Sequence, residues 1–134
     1  MRASSSKPNL RNQQRVDVAL EVLVSNPAGE ELSCEAANLS RTGVMLRCDP
    51  STVQTLLPGQ APPAPGQWIE VSTRFSVPVV ATQKVSVRAV GHIVHLRRVS
   101  RNEFHLGVQF TEFEDNGFDY VDQYVSRLLA SPFE

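Results

Sequence analysis

The sequence has no long apolar segment. None of its hydrophobic runs approaches the roughly 18 to 20 residues that a membrane-spanning helix needs. Residues 1–15, MRASSSKPNLRNQQR, are polar and basic and lack the apolar core of a secretory signal. These absences predict a protein that does not insert into a membrane and that resides in the cytoplasm.

Residues that build metal sites and catalytic centres are also scarce. Two cysteines are too few for a disulfide framework, and the three histidines show no metal-ligand spacing; these residues are Cys34, Cys48, His92, His95 and His105. No nucleophile elbow, Walker loop or dinucleotide-binding glycine motif occurs. The sequence therefore predicts no catalytic residue, no metal and no cofactor, and indicates that the chain is not an enzyme.

Cys34 and Cys48 lie almost symmetrically about Arg41, so we expect two buried thiols facing each other across a hairpin.

The chain has no surplus of charge of either sign. Thirteen Lys and Arg residues balance fourteen Asp and Glu residues, for a formal net charge of −1, which argues against a protein that coats DNA or RNA. The charges are nevertheless segregated, because residues 1–15 and 88–101 contain arginines and no acid, whereas residues 112–134 are mostly acidic. Segments with charges of one sign are usually solvated surface. The alternative, which is more specific, is that the basic N-terminal segment closes on a small anion.

Hydrophobic periodicity defines most of the secondary structure. Alternation of apolar and polar residues predicts strands at 16–24, 32–37, 44–48, 69–75, 83–96 and 104–110, the fifth with a bulge at Gly91. A short helical turn is expected after Asp49, and a proline-rich surface loop at 58–66. An apolar stripe predicts a helix at about 116–130, ended by Pro132; its members are Phe118, Val121, Val125, Leu128 and Leu129. The pattern favours a small β-barrel or sandwich with the helix over an open end or edge.

Two arginine pairs share the spacing R-x-x-x-R. Arg11 and Arg15 form one pair, and Arg97 and Arg101 form the other. Two guanidinium groups at this spacing lie within about 13 Å of each other even in an extended chain. Each offers a planar fork of donors that suits a phosphate or the Hoogsteen edge of guanine, and each can stack on a base. An arginine pair therefore suits a compact ligand that carries phosphates and purines.

A second motif lies between the second and third predicted strands. Asn38, Ser40 and Gly43 form N-x-S-x-x-G, which supplies short polar side chains and a residue that permits positive φ or close approach of another backbone. A hydrogen-bonded β-turn explains the three residues without any ligand. The motif by itself therefore favours a turn.

The order and spacing of these motifs resemble the PilZ domain family. The chain has R-x-x-x-R before the first strand and N-x-S-x-x-G between strands two and three, and the similarity continues through PGQWIEV, VRAVGHIV and LGVQF. It covers essentially residues 10–130. Asn38 replaces the more frequent Asp, and Thr42 stands where a second glycine is common. Arg97 and Arg101 match no family motif and are interpreted as surface charge or an accessory patch.

The resemblance implies a six-stranded antiparallel β-barrel with a C-terminal helix that binds the bacterial second messenger cyclic di-GMP. Residues 1–9 would form a flexible arm and residues 10–134 a single domain. Arg11 and Arg15 would contact the phosphates and guanines, Asn38 and Ser40 would hydrogen-bond guanine or the sugar-phosphate, and Gly43 would shape the turn. We expect residues 1–15 to fold over the barrel on binding and to create a surface for a downstream protein partner, with no binding of DNA or RNA.

Two alternatives remain open at this stage. Some PilZ-like proteins bind no nucleotide and act through protein contacts alone, and these typically lack the arginine pair that this chain has. A small β-barrel could instead bind single-stranded nucleic acid, which would require exposed aromatic side chains among basic strand residues. The chain has only nine aromatic residues, and Phe75, Phe104 and Phe110 fall on the inward side of their strands.

Overall fold

The computed structural model describes residues 13–58, 64, 68–80 and 83–130. The predicted arm 1–9, Arg11, most of the proline-rich loop and Pro132 lie outside these residues. The elements are β1 (Val16–Ser25), β2 (Glu31–Leu39), β3 (Gly43–Cys48), α1 (Pro50–Leu56), β4 (Ile69–Val80), β5 (Gln83–Ser100), β6 (Glu103–Phe113) and α2 (Gly117–Ala130).

The six strands close into one barrel. Their order around it is β1-β2-β3-β6-β5-β4, and every neighbouring pair is antiparallel. The inward side chains of all six strands form the apolar core, which includes Val22, Ala36, Leu46, Val77, Val87 and Leu106. Closure leaves no edge in the circuit and decides between the two architectures that the pattern allowed: the fold is a barrel with a C-terminal helix.

Register shifts interrupt the pairing of β5 with β6 at three places. The shift between Val90 and Gly91 leaves Thr111 unmatched, so the bulge lies on β6 opposite Gly91 and not on β5, where the sequence predicted it. Two further shifts leave Val94 and Val99 unmatched on β5, and both side chains are exposed. These extra residues break the alternation of the strand, which runs as one piece to Ser100 rather than ending at Leu96.

The expected helical turn after Asp49 is a helix of seven residues. Asp49 is its N-cap and accepts a hydrogen bond from the backbone N–H of Thr52 at 2.8 Å, and Pro50 occupies the first turn. Val53 and Leu56 point into the core. Hydrogen bonds from Thr52 and Ser51 lower the pKa of Asp49 below the usual aspartate value, because they stabilise its charged form.

Helix α2 covers one side of the barrel, against β4, β5 and β1. Val121 and Val125 are buried as the stripe predicts, but Phe118 is 40% exposed and packs edge-on against Phe113 at 5.7 Å between ring centres. Arg127, near the end of the helix, donates to the carbonyl oxygens of Pro78 and Val79 on β4. No helix in the described part of the chain is long and apolar enough to cross a membrane.

Candidate functional site

The N-x-S-x-x-G motif forms the tight connection from β2 to β3. Ser40 is buried, and its hydroxyl oxygen accepts hydrogen bonds from the backbone N–H groups of Thr42 (3.2 Å) and Gly43 (3.1 Å). The backbone N–H of Ser40 donates to the carbonyl oxygen of Gly43 at 2.9 Å. In this structure Ser40 therefore uses its polar atoms within the turn, as the β-turn interpretation of the motif expects.

The same turn is fixed against β6. The carbonyl oxygen of Thr42 accepts a hydrogen bond from the backbone N–H of Phe110 at 2.8 Å. Gly43 has no positive φ, and a Cβ atom at this position would lie 2.5 Å from the carbonyl oxygen of Val108. Of the two reasons for a glycine here, the structure shows close approach of another backbone.

Asn38 lies just before the turn, beside a bulge. The pairings of β2 with β3 and with β1 both shift register around Ala37, which leaves Ala37 unmatched. A bulge changes the direction of neighbouring side chains. Asn38 is half-buried, and its side-chain carbonyl oxygen faces Arg15. The Arg15 Nη1 atom donates to Asn38 Oδ1 at 2.8 Å, across 23 positions of sequence.

A groove of about 430 Å³ opens next to this contact. Its lining includes Arg15, Thr42, Gly43, Val94, His95 and Gln109. Motif residues from both the N-terminal segment and the turn therefore border one concavity on the outside of the barrel. The exposed Arg15 guanidinium and the side-chain amide of Gln109 give it donors for an anionic, hydrogen-bonding ligand.

Sequence reasoning missed His95 and Gln109 as groove residues. His95 follows the unmatched Val94, so the simple alternation of β5 does not assign its face. Gln109 lies on the predicted strand at a polar, exposed position that resembles ordinary surface. No composition signal distinguishes either residue; their positions depend on how β3, β6 and β5 pair.

Arg41 is a third residue whose role the sequence did not indicate. It lies inside the turn, and its side chain is only 2% exposed. Its Nε donates to Asp122 Oδ1 at 2.5 Å and its Nη2 donates to the Ser126 hydroxyl at 2.6 Å, both on α2. Such a buried arginine is held by charge and hydrogen bonds together.

The remaining candidates do not line the groove. Arg101 is exposed in the turn between β5 and β6, and Arg97 is exposed on β5, two residues after the groove residue His95. The thiols of Cys34 and Cys48 are buried with 3.7 Å between their sulfur atoms, which confirms that they face each other across the hairpin. The hydrogen bond to Cys34 and burial both raise the pKa of the Cys48 thiol. Among the residues that the structure describes, no group of three His, Cys, Asp or Glu side chains could hold a metal ion.

Comparison of the sequence with known families gives one match that covers most of the chain. The family model described as PilZ domain matches residues 9–127. A comparison with curated proteins found no significant match.

Solved structures share the fold at low sequence identity. The *Bacillus subtilis* inhibitor of motility MotI/DgrA superposes with a TM-score of 0.67 and 13% identity, over 90% of this chain and 51% of that one. The *Borreliella burgdorferi* PlzA protein in complex with c-di-GMP gives 0.58 and 8%, over 93% and 55%. The *K. pneumonia* MrkH–c-di-GMP complex gives 0.57 and 12%, over 89% and 52%. The chain thus spans about half the length of each of these proteins.

Proposed function

The chain belongs to the PilZ domain family, and from this premise we propose that it is a bacterial, cytoplasmic receptor for cyclic di-GMP. We propose a binding role rather than catalysis, with the dinucleotide as ligand and no further cofactor. Two of the structures with the same barrel, PlzA and MrkH, are complexes with c-di-GMP.

The observation that carries the proposal is the contact between Arg15 and Asn38. It brings the R-x-x-x-R and N-x-S-x-x-G motifs together at the rim of a groove, although 23 positions separate the two residues. A β-turn alone would account for the second motif, but it would not require an arginine from the N-terminal segment beside it. Support for a ligand site therefore comes from the pairing of the motifs.

The chemistry of each side chain suits the dinucleotide. Arg15 is exposed and offers a guanidinium fork to a phosphate or a guanine edge, as Arg11 would from the same segment. The Asn38 amide has donors and an acceptor for guanine or the sugar-phosphate. Gly43 lines the groove, and its lack of a side chain lets the turn lie against β6 there. We assign Ser40 chiefly to holding this turn, since its hydroxyl already accepts two backbone hydrogen bonds.

The proposal extends to how the receptor signals. Residues 1–15 carry four basic residues and no acid, and cyclic di-GMP carries two phosphates. We propose that this segment closes over the bound ligand, with ordering costs of about 1 to 2 kcal/mol per residue offset by charge-assisted hydrogen bonds of about 1.5 to 3 kcal/mol each. Once closed, residues 1–15 would form part of a surface for a downstream protein, so that the chain acts as an adaptor.

Calorimetric titration with cyclic di-GMP tests the proposal. Arg15→Ala should weaken binding by roughly 10- to 150-fold, which corresponds to the loss of one charge-assisted hydrogen bond. Arg101→Ala is the matched control, because Arg101 belongs to the other R-x-x-x-R pair and lies in the turn between β5 and β6, outside the groove. It should leave the affinity within about twofold of the wild type. The same titration gives the number of ligand molecules bound, one or a stacked pair.

Three results would contradict the proposal. Equal affinity of the wild type and Arg15→Ala would remove Arg15 from the site. No binding by the wild type would favour a PilZ-like module that acts through protein contacts alone. Binding of random single-stranded oligonucleotides in a gel-shift assay, with no effect of cyclic di-GMP, would favour the nucleic-acid alternative. We expect no such shift, since Phe75 and Phe104 are buried in the core and the exposed aromatic residues Trp68 and Phe118 do not lie on strands.

A further inference from the structure

Arg41 joins the motif turn to a helix that is distant in sequence. It lies between Ser40 and Thr42 in the turn, yet both of its hydrogen-bond acceptors noted above belong to α2. Asp122 and Ser126 are four residues apart and therefore lie on one face of the helix. The turn that borders the groove and the helix that covers the barrel are thus connected through one buried side chain.

We propose that Arg41 is a positioning residue that couples occupancy of the groove to helix α2 and makes that helix the element that reports ligand binding. This inference rests on the proposed function, because it takes cyclic di-GMP as the ligand. It goes beyond closure of residues 1–15, because it adds a second path by which ligand binding is transmitted, through the barrel to α2.

Burial is the first reason for this coupling. The Arg41 side chain is 2% exposed, so its charge has little access to water and must be met by protein groups. The guanidinium reaches Asp122 and Ser126 together only when the turn and the helix hold their present relative position. A displacement of either element would leave the charge poorly paired, and the two elements therefore favour each other's position.

The contacts of the neighbouring residues supply the second reason. Thr42 is hydrogen-bonded to β6, and Gly43 lies against the Val108 carbonyl oxygen, so the turn has little freedom to absorb a shift of Arg41 locally. Thr42 and Gly43 also line the groove. A ligand that fixes them would stabilise the position of Arg41 and, through it, α2. Linkage is reciprocal, so weakening the helix contact must weaken ligand binding.

The helix has another polar anchor that serves as a control. Arg127 donates to the carbonyl oxygens of Pro78 and Val79 on β4, none of which lines the groove. Removing either anchor should loosen α2. Only removal of the Arg41 anchor should also weaken ligand binding. This difference separates coupling from a merely structural role.

The experiment combines calorimetry with hydrogen exchange measured by mass spectrometry on the full chain, with and without cyclic di-GMP. In the wild type, ligand should slow exchange of peptides from residues 117–130 by several-fold. Asp122→Asn should bind about 10-fold more weakly, within the usual range of coupling between sites, and should lose the ligand-dependent slowing. Arg127→Gln should keep both the slowing and an affinity within about twofold of the wild type.

Ser126→Ala covers the case in which Asp122→Asn does not fold. It removes one acceptor of Arg41 and leaves the Asp122 carboxylate in place, so we expect a folded protein with an affinity about threefold lower and reduced slowing of α2. The inference is overturned if the wild type binds without any change in exchange at 117–130. It is also overturned if the Arg41-contact variants bind as the wild type does, or if Arg127→Gln behaves as they do. Absence of binding by the wild type would instead overturn the proposed function, and the inference with it.

Discussion

Gly43 lies where β3 and β6 approach each other closely beside the groove. A Cβ atom would stand 2.5 Å from the Val108 carbonyl oxygen, and that oxygen belongs to the backbone of β6. Backbone cannot move aside as the end of a flexible side chain can. The constraint on this residue is therefore steric, and it is set by pairing of β3 with β6 rather than by the φ angle of the turn.

Replacement of Gly43 by alanine should consequently damage both stability and binding. We expect Gly43→Ala to lower the free energy of unfolding by about 1 to 3 kcal/mol, as in other cases of overpacking, and to weaken cyclic di-GMP binding by about 10-fold. Urea unfolding and calorimetry measure the two effects.

Gly29→Asn is the control for this substitution. Gly29 has a φ of +91°, which asparagine tolerates better than most residues, and nothing lies within 4 Å of its added Cβ. It should cost less than about 1 kcal/mol and leave ligand binding unchanged. Wild-type stability in Gly43→Ala would show that β3 and β6 can separate at this point without cost.

At the scale of single elements, α1 depends on its first residues. Asp49 accepts hydrogen bonds from the Thr52 N–H and from the Ser51 hydroxyl, and the lowered pKa of its carboxyl reflects them. A carboxyl whose pKa is lower in the folded state contributes stability above its unfolded pKa. That contribution is lost as the pH falls through the lower, folded value.

Asp49→Ala should therefore lower the free energy of unfolding by about 0.5 to 1 kcal/mol at pH 7, as for other exposed N-caps. The difference from the wild type should begin to shrink as the pH falls below the ordinary aspartate pKa of about 4 and should vanish below the lower, folded pKa. Asp49→Asn is the matched control, because asparagine also caps helices but does not titrate. Urea unfolding at several pH values measures these differences, and a gap between wild type and Asp49→Ala that is constant with pH would contradict the assignment.

The elements themselves follow well from the sequence, and their irregularities do not. Alternation located all six strands, because half-buried strands repeat their burial every second residue. The unmatched residues Ala37, Val94 and Val99 escaped prediction, since a bulge adds one residue without changing composition. The bulges decide the surroundings of the site: Ala37 precedes Asn38, and Val94 precedes His95.

Prediction of the site was limited in the same way. The motif residues Arg15 and Gly43 line one groove in the structure, and Asn38 accepts a hydrogen bond from Arg15 beside it. Arg41 could not be assigned, because an arginine in a turn between polar residues is usually solvated. Its acceptors are more than 80 positions away in the sequence, at separations of 81 and 85, and only barrel closure brings α2 to the turn.

At the scale of the whole molecule, the net charge of −1 arises from opposed regions. The acids near the C-terminus include Asp122, which is engaged with the buried Arg41. The N-terminal basic residues include Arg15, which is exposed at the groove. Acidic and basic segments thus contribute to opposite sides of the proposed signalling path: the basic segment meets the ligand, and the acidic helix holds the turn.

The division into an arm of residues 1–9 and a domain of residues 10–134 remains a prediction, and truncation tests it. Deleting residues 1–9 should leave the free energy of unfolding within about 0.5 kcal/mol of the wild type, because the barrel and α2 are retained. Affinity for cyclic di-GMP should change less than about threefold, since Arg11 and Arg15 both remain. Deleting residues 1–11 removes Arg11 as well and should weaken binding by a further factor of about 10.

Urea unfolding and calorimetry on the two truncated chains measure these differences. The second truncation differs from the first by Leu10 and Arg11 alone, so Leu10→Ala in the full chain is the control for the apolar neighbour. If deletion of residues 1–9 alone weakened binding as strongly as the longer deletion, the anion-binding part of the segment would begin before Arg11. The boundary would then lie closer to the start of the sequence, because Arg2 and Lys7 are the other basic residues there.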